Sequence, residues 1–163
     1  MKTIRRTAPI FIPITAAGLI PAALLLLPQG PRLPVSAAVR LALACPLMVI
    51  GAWMVADAVN RVYLLQDTPL GDRPPERLVV DGWYGVIRNP MALGMTLLLV
   101  GEAVALSAAP VLIWAAVVLT VSRLTAVRVE EPSLLAVFGE EYEDYRRCTR
   151  RWLLVPFRRS RRR

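Results

Sequence analysis

The chain has 163 residues, 56% of them hydrophobic, and a net charge of +8. A chain with this share of hydrophobic residues is not typical of a soluble domain. Its length suits a single membrane domain, residues 1–163. It contains no histidine, which excludes Ser-His and Cys-His nucleophiles and the usual zinc ligand. Cys45 and Cys148 lie in unlike surroundings, so neither a disulfide nor a metal site is predicted.

The first apolar run, about residues 8–27, carries no charge and is long enough to span a membrane. Arg5 and Arg6 precede it, and a Pro-Gln-Gly-Pro turn follows. A cleaved signal peptide is the alternative, because a basic front and the small residues 36–38 flank the run.

A second apolar run covers about residues 35–59 and includes Arg40 near its start and Asp57 near its end. Both side chains are close enough to an interface to reach water, and Asp57 can instead face the protein interior. The polar stretch that follows, residues 60–90, is rich in proline, glycine and charge, and a connector this long is usually functional. We therefore separate two N-terminal spans, residues 1–59, from a core in residues 60–163.

The third and fourth apolar runs, about residues 91–108 and 109–126, are joined so closely that they predict a helical hairpin. Glu102 lies inside the third run. A carboxylate there must face other helices, water or a ligand, so a structural hydrogen bond and a substrate-binding role are both open.

The residues after Arg128 combine apolar and aromatic side chains at helical spacing with many charges. This pattern predicts a C-terminal cytoplasmic amphipathic helix, bent near Gly139, followed by an interfacial segment from Trp152 to Phe157. The expected fold is therefore all-α, an integral membrane bundle of about four transmembrane helices plus this helix. Nine of the 20 basic residues lie in residues 146–163, which favours binding to anionic lipids; the apolar body argues against nucleic acid as a partner.

Charge predicts the orientation. Four spans place the N-terminus, residues 60–90 and the C-terminus on one side, and nearly every lysine and arginine lies there. The positive-inside rule makes that side cytoplasmic. High alanine, valine, proline and arginine usage hints at a GC-rich bacterial source, so we expect both termini on the cytoplasmic side of a bacterial inner membrane.

Two polar motifs share this face. Residues 82–91 end where the third run begins, and Glu130 and Glu131 follow the fourth run. Polar groups at these positions cost desolvation energy, so the two motifs indicate a polar ligand at the membrane face. Each has a structural alternative: Arg88 as a cationic flank, Pro90 as a first-turn proline, and the two acids as the beginning of the next helix.

Methyl transfer from a sulfonium fits such a chain, because it needs positioning and a dry site more than acid-base groups. Glu130 or Glu131 can pair with the ammonium of the cofactor's amino acid end, and Arg88 with its carboxylate. Gly94 would let the cofactor approach the helix backbone closely. Tyr142 and Tyr145 are expected to pack, or to lie at the interface, rather than to act in catalysis.

The two motifs resemble those of the integral membrane methyltransferases that include isoprenylcysteine carboxyl methyltransferases and phospholipid methyltransferases. The resemblance covers about residues 66–157. It is carried in the first half by Thr68-Pro69-Leu70, Pro74-Pro75, Leu78-Val79-Val80, Asp81-Gly82, Tyr84, Arg88-Asn89-Pro90-Met91 and Leu93-Gly94, and in the second half by Arg128, Glu130-Glu131, Leu134, Phe138-Gly139, Glu141-Tyr142, Tyr145 and Pro156.

The resemblance implies an S-adenosylmethionine-dependent enzyme with a cytoplasm-facing cofactor pocket and a lipid-side opening for a lipophilic substrate. It assigns catalysis to Arg88, Asn89 and Glu131. The cofactor-binding residues that it implies are Tyr84, Arg88, Asn89, Pro90, Gly94, Glu130 and Glu131.

The chain departs from the family's motif at three places. Asn89 replaces the more usual histidine, Ala92 stands where an aromatic residue is common, and Gly85 and Val86 replace a typical Arg and Tyr. An asparagine can donate and accept hydrogen bonds, so we expect this motif to bind and position rather than to transfer protons.

Two other classes of function stay open at this point. A membrane reductase of isoprenoid or sterol-like lipids would need more cationic residues for the phosphates of a nicotinamide cofactor. A non-enzymatic membrane protein with a lipid-binding basic tail would bind no cofactor.

Overall fold

The computed structural model describes residues 15–64 and 76–152 of the chain. The start of the first predicted span, the motif residues 68–70 and 74–75, and the interfacial and arginine-rich end beyond Trp152 lie outside the described residues. Within them the chain is helical and has no strand; one isolated parallel bridge joins Ile87 to Arg150. The predicted all-α class is confirmed.

The helices follow the predicted runs. A π-helical turn, Thr15–Leu19, leads into α1, Ile20–Leu24, and α2, Ala37–Val59, continues through a second π turn, Asn60–Leu64. A 3₁₀ turn, Gly82–Gly85, precedes α3, Pro90–Leu106. Helix α4, Ala109–Thr125, continues through a third π turn, Ala126–Glu130, into α5, Glu131–Phe138, and the last helix, α6, is Glu140–Cys148.

Two continuous helices are long and apolar enough to cross a membrane. They are Ala37–Leu64, with 28 residues, and Ala109–Phe138, with 30 residues. Thr15–Leu24 and Pro90–Leu106 are shorter apolar helices. At about 1.5 Å per residue, the 17 residues of α3 rise about 25 Å, near the lower limit for a span. Two of the four predicted spans are therefore supported by length, and the count of four stays a prediction.

Short polar residues lie at several helix ends. The Ser36 side chain accepts from the Val39 N–H, 3.4 Å away, at the start of α2. The Asn89 side chain does the same for the Ala92 N–H, at 3.2 Å, at the start of α3. Ser107 has a positive φ of 52° and ends α3. Such a left-handed residue stops a helix and makes possible the tight turn into α4 that the sequence predicts.

Two of the three π turns in the described part of the chain end two positions before a proline. Pro21 follows Thr15–Leu19, and Pro132 follows Ala126–Glu130. Proline lacks an N–H, and its ring clashes with the carbonyl oxygen four residues earlier, which widens the preceding turn. The turn before Pro132 ends at Glu130, and α5 begins at Glu131, so the acidic motif predicted from the sequence lies at this junction.

Helices α2 and α3 are antiparallel and pack backbone against backbone. A Cβ added at Gly51 would lie 2.6 Å from the Gly94 carbonyl oxygen, and one added at Gly94 would lie 2.8 Å from the Gly51 oxygen. At the far end of the pair, the Arg40 guanidinium donates to the Ser107 hydroxyl. The glycines permit a close crossing that larger residues would prevent.

Residues on both sides of α1 contact α4 and complete the bundle. The Trp114 Nε1–H donates to the Ala16 carbonyl oxygen at 2.8 Å, and the Ala109 N–H donates to the Gln29 oxygen at 3.4 Å. Because α3 runs antiparallel to α2 and turns tightly into α4, the end of α2, the beginning of α3 and the end of α4 lie together. We call this the site end of the bundle.

Candidate functional site

The two polar motifs meet at the site end. Arg88 Nη1 lies 3.2 Å from Glu131 Oε1, and the side chains are 13% and 14% exposed. Arg88 comes from the segment before α3 and Glu131 from the first turn of α5, forty-three residues apart. The juxtaposition expected from the sequence is therefore present as an ion pair that is largely buried.

The backbone around Arg88 is held by the C-terminal segment. The Arg88 N–H donates to the Arg150 carbonyl oxygen at 3.0 Å, and Ile87, which is fully buried, forms the parallel bridge with the same residue. Arg88 is thus fixed by a residue that lies 62 positions later in the chain.

Glu131 has a second cationic partner that the sequence reasoning missed. Arg151 donates from Nε to Oε1 and from Nη2 to Oε2, both at 2.7 Å. This is the bidentate geometry in which arginine binds carboxylate most strongly. No signal in the sequence distinguishes Arg151 from the other arginines of the C-terminal stretch, which we assigned to lipid binding.

Tyr142 and Tyr145 of α6 pack beneath the two motifs. Tyr142 is 1% exposed and Tyr145 is buried. The Tyr145 hydroxyl donates to the Tyr84 carbonyl oxygen at 2.8 Å. Gly139, with a φ of +50°, separates α5 from α6 and lets α6 turn back to make these contacts. The predicted bend near Gly139 and the packing role of both tyrosines agree with this arrangement.

Burial keeps the phenols of the site neutral. It raises the pKa of Tyr84 and of Tyr145 well above the usual value, and the charge of Glu130 contributes to the shift at Tyr84. Burial and the charge of Glu131 raise the pKa of Tyr142, which Arg88 partly opposes. At neutral pH these groups act as hydrogen-bond partners rather than as bases.

A second charged cluster anchors the turn that carries Tyr84. Arg61 contacts Asp57 at 2.7 Å and Asp81 at 2.5 Å, and Asp57 also accepts from the Trp83 N–H at 3.3 Å. The Trp83 ring packs edge-on against Trp53, with centroids 5.1 Å apart. Of the two positions proposed for Asp57, the structure shows the one facing the protein.

Asn89 and Pro90 form the beginning of α3. Asn89 uses its side-chain oxygen to cap the helix, which leaves its amide nitrogen as a possible donor. Pro90 is fully buried in the first turn, the position where a missing N–H costs least.

Gly94 lies at the crossing of α2 and α3. The space that its missing side chain leaves is occupied by the Gly51 oxygen, Met54 and Val55. The close approach that the sequence indicated is therefore made by a neighbouring helix. Its assignment to cofactor binding stays a prediction, which this packing does not favour.

The two remaining acids differ in position. Glu130 is exposed and makes no ion pair among the described residues. Glu102 is half-buried near the far end of α3, about 18 Å along the helix axis from Pro90. Glu102 thus does not share a site with Arg88 and Glu131, and its substrate-binding role stays a prediction.

Neither metal ligation nor disulfide chemistry is indicated. In residues 15–64 and 76–152, no three His, Cys, Asp or Glu side chains are grouped so that they could hold a metal ion. Cys45 and Cys148 are both free and exposed.

A sequence model of the family described as phospholipid methyltransferase matches residues 39–141. This is more than half of the chain, and it contains both polar motifs. The match begins inside α2, so the family resemblance extends further toward the N-terminus than the motifs in residues 66–157 indicated. No curated protein and no solved structure matches the chain significantly. The family resemblance inferred from the motifs is confirmed.

Proposed function

Because this chain belongs to the phospholipid methyltransferase family, a family of membrane methyltransferases, we propose that it transfers a methyl group from S-adenosylmethionine to a lipophilic acceptor. The observation that carries the proposal is the buried contact between Arg88 and Glu131. It joins the two motifs on which the resemblance rests into one polar site at an otherwise apolar bundle.

The donors of Arg88 fit the carboxylate of the cofactor. Arg88 Nε and Nη1 are buried and have no hydrogen-bond partner among the described residues. The 3.2 Å approach of Nη1 to Glu131 is an ion pair without the alignment of a hydrogen bond. Buried donors without a partner are costly, and an anionic ligand would satisfy them.

The carboxylate of Glu130 fits the ammonium of the cofactor better than that of Glu131. Both oxygens of Glu131 accept hydrogen bonds from Arg151, whereas Glu130 has no ion pair in the described part of the chain. Of the two acids proposed from the sequence, we therefore assign the ammonium to Glu130. Glu131 would act by orienting the arginines.

The residues present suit methyl transfer without acid-base catalysis. The cofactor supplies a methyl group made electrophilic by its sulfonium charge. Tyr84 and Asn89, both neutral, would orient it by hydrogen bonding, and the buried surroundings of Arg88 would exclude water. The acceptor would attack the methyl carbon in line as the bond to sulfur breaks. Its chemical class, an oxygen, nitrogen or sulfur nucleophile, is a matter for product analysis.

A lipophilic acceptor would reach the site from the bilayer. Both long helices expose large apolar side chains, including Val49 and Trp53 on α2 and Ile113 and Val121 on α4. We propose that these faces contact lipid, that the site end is cytoplasmic, and that the host membrane is a bacterial inner membrane. The exposed Arg146 and Arg147 begin the arginine-rich C-terminus, for which we propose contact with anionic lipids.

We predict that the purified protein in lipid nanodiscs binds S-adenosylmethionine, measured by isothermal titration calorimetry. Arg88→Ala and Glu130→Gln should each weaken binding about tenfold or more, because each removes a charge-assisted contact. Glu140→Gln, at an exposed position in the first turn of α6, is the control and should bind like the unchanged protein.

Transfer is tested by incubating the protein with a methyl-labelled cofactor and a bacterial lipid extract, then identifying labelled products by mass. A labelled lipid that is absent with Arg88→Ala supports the proposal. Absence of cofactor binding by the unchanged protein would refute it, and binding without any labelled lipophilic product would refute the acceptor class.

A further inference from the structure

Glu131 is shared unequally between two arginines. Arg151 makes two hydrogen bonds of 2.7 Å to its two oxygens, whereas Arg88 approaches one oxygen at 3.2 Å without hydrogen-bond alignment. The carboxylate charge is therefore compensated chiefly by Arg151.

Because of this unequal sharing, Arg88 keeps N–H donors that make no hydrogen bond. The three side chains together carry a net charge of +1, and the two buried donors of the group that have no hydrogen-bond partner, Nε and Nη1, belong to Arg88. If Arg151 were absent, Glu131 would be a buried carboxylate with Arg88 as its nearest cation. Arg88 would then be drawn into hydrogen bonds with Glu131, since a buried charge without a partner is costly.

Main-chain hydrogen bonds of the residues before Arg151 position it beside Glu131. Thr149 is buried and its N–H donates to the Tyr145 oxygen at 2.9 Å, which continues the end of α6. The next residue, Arg150, accepts from the Arg88 N–H. The two residues before Arg151 are thus held by main-chain contacts, one of them to the segment that carries Arg88, so the placement of Arg151 does not depend on the ion pair alone.

We propose that Arg151 is a positioning residue, which occupies both oxygens of Glu131 with hydrogen bonds and so keeps the Arg88 donors free for the carboxylate of the cofactor. The proposal rests on the proposed function. It assigns to one arginine of the basic C-terminus a role in ligand specificity, distinct from contact with lipid. Arg151 would touch neither the cofactor nor the acceptor.

The test compares two ligands, S-adenosylmethionine and its decarboxylated form, by calorimetry in nanodiscs. The unchanged protein should prefer the carboxylated ligand. With Arg151→Ala that preference should fall about tenfold, because Arg88 is then occupied by Glu131. Arg147→Ala, an exposed arginine near the end of α6 that pairs with Glu143, is the matched control and should keep the preference.

A merely structural role for Arg151 gives a different result. Loss of local folding would weaken the binding of both ligands by the same factor. The ratio of the two affinities would then stay unchanged, which would overturn the proposal. Arg151→Lys serves if the alanine variant does not fold, because it keeps the charge and loses the two-point contact; an unchanged ligand ratio there also counts against the proposal.

A double-mutant cycle tests whether Arg151 acts through Glu131. Once Glu131→Gln removes the carboxylate charge, Arg151→Ala should have little further effect on the ligand ratio, whereas additive effects would contradict action through Glu131. If the unchanged protein binds neither ligand, the proposed function itself falls. If it binds both but Arg151→Ala keeps their ratio, only the present inference falls.

Discussion

Single residues of the site serve both the fold and the proposed chemistry. Asn89 is the clearest example, because its oxygen caps α3 while its amide nitrogen stays available. Asn89 stands where the family's motif more usually has a histidine, and this replacement led us to expect binding and positioning rather than proton transfer. The cap adds a structural reason for a short polar residue here.

Substitutions at Asn89 can separate its two functions. Asn89→Ser keeps an N-cap oxygen and should leave the midpoint of thermal unfolding in detergent nearly unchanged, while Asn89→Ala should cost about 1 kcal/mol of stability. We expect both variants to weaken S-adenosylmethionine binding, because both lose the amide donor. Unchanged affinity in the serine variant would confine Asn89 to a capping role.

At the scale of elements, the contact of α2 with α3 positions the site. The Arg61 cluster fixes the 3₁₀ turn to the end of α2, and the glycine crossing fixes α3 beside it. The spacing of Gly94 and Gly101, seven residues apart, marks one face of α3. Which helix covers that face is not readable from the spacing.

Three glycine substitutions should differ according to what the new methyl group meets. Gly51→Ala places it against the backbone of α3, so we expect a loss of about 1–3 kcal/mol, seen as a lower thermal midpoint. Gly101→Ala meets chiefly the flexible Met48 side chain and should cost less. Gly18→Ala meets nothing within 4 Å and is the control. Equal effects at all three positions would contradict the close crossing.

At the scale of the whole molecule, the alternation of helix direction places both polar motifs at one end. Most of the described arginines, including Arg61, Arg88, Arg128 and Arg151, lie near the same end, but no membrane side follows from the helices themselves. The orientation therefore stays a prediction from the positive-inside rule.

The two free cysteines give a direct test of orientation. Cys148, exposed at the end of α6, should react with a membrane-impermeant maleimide in inverted vesicles and stay unlabelled in right-side-out vesicles. Cys45 lies within α2 and should be protected in both, because lipid covers it. A Cys148→Ser variant shows the background, and labelling of Cys148 only from the outer side would reverse the predicted topology.

The sequence by itself determined the class of fold and predicted that the two polar motifs lie near each other. Long apolar runs can satisfy their backbone groups in lipid only as helices or closed barrels, and their lengths and breaks favour helices. Arg88 was predictable as a neighbour of the Glu130-Glu131 pair, because each motif adjoins an apolar run that is expected to end at the same membrane face; the structure shows that Glu131 makes the contact.

Only the tertiary structure decided how the site is assembled. Arg151 binds Glu131 because α6 folds back at Gly139 and its following segment bridges to Arg88, contacts between residues far apart in the chain. The packing of the helices likewise places Gly94 against α2. It brings the site to the beginning of α3, far from Glu102. A local pattern specifies which face of a helix is small or polar, while the packing of all the helices specifies what that face meets.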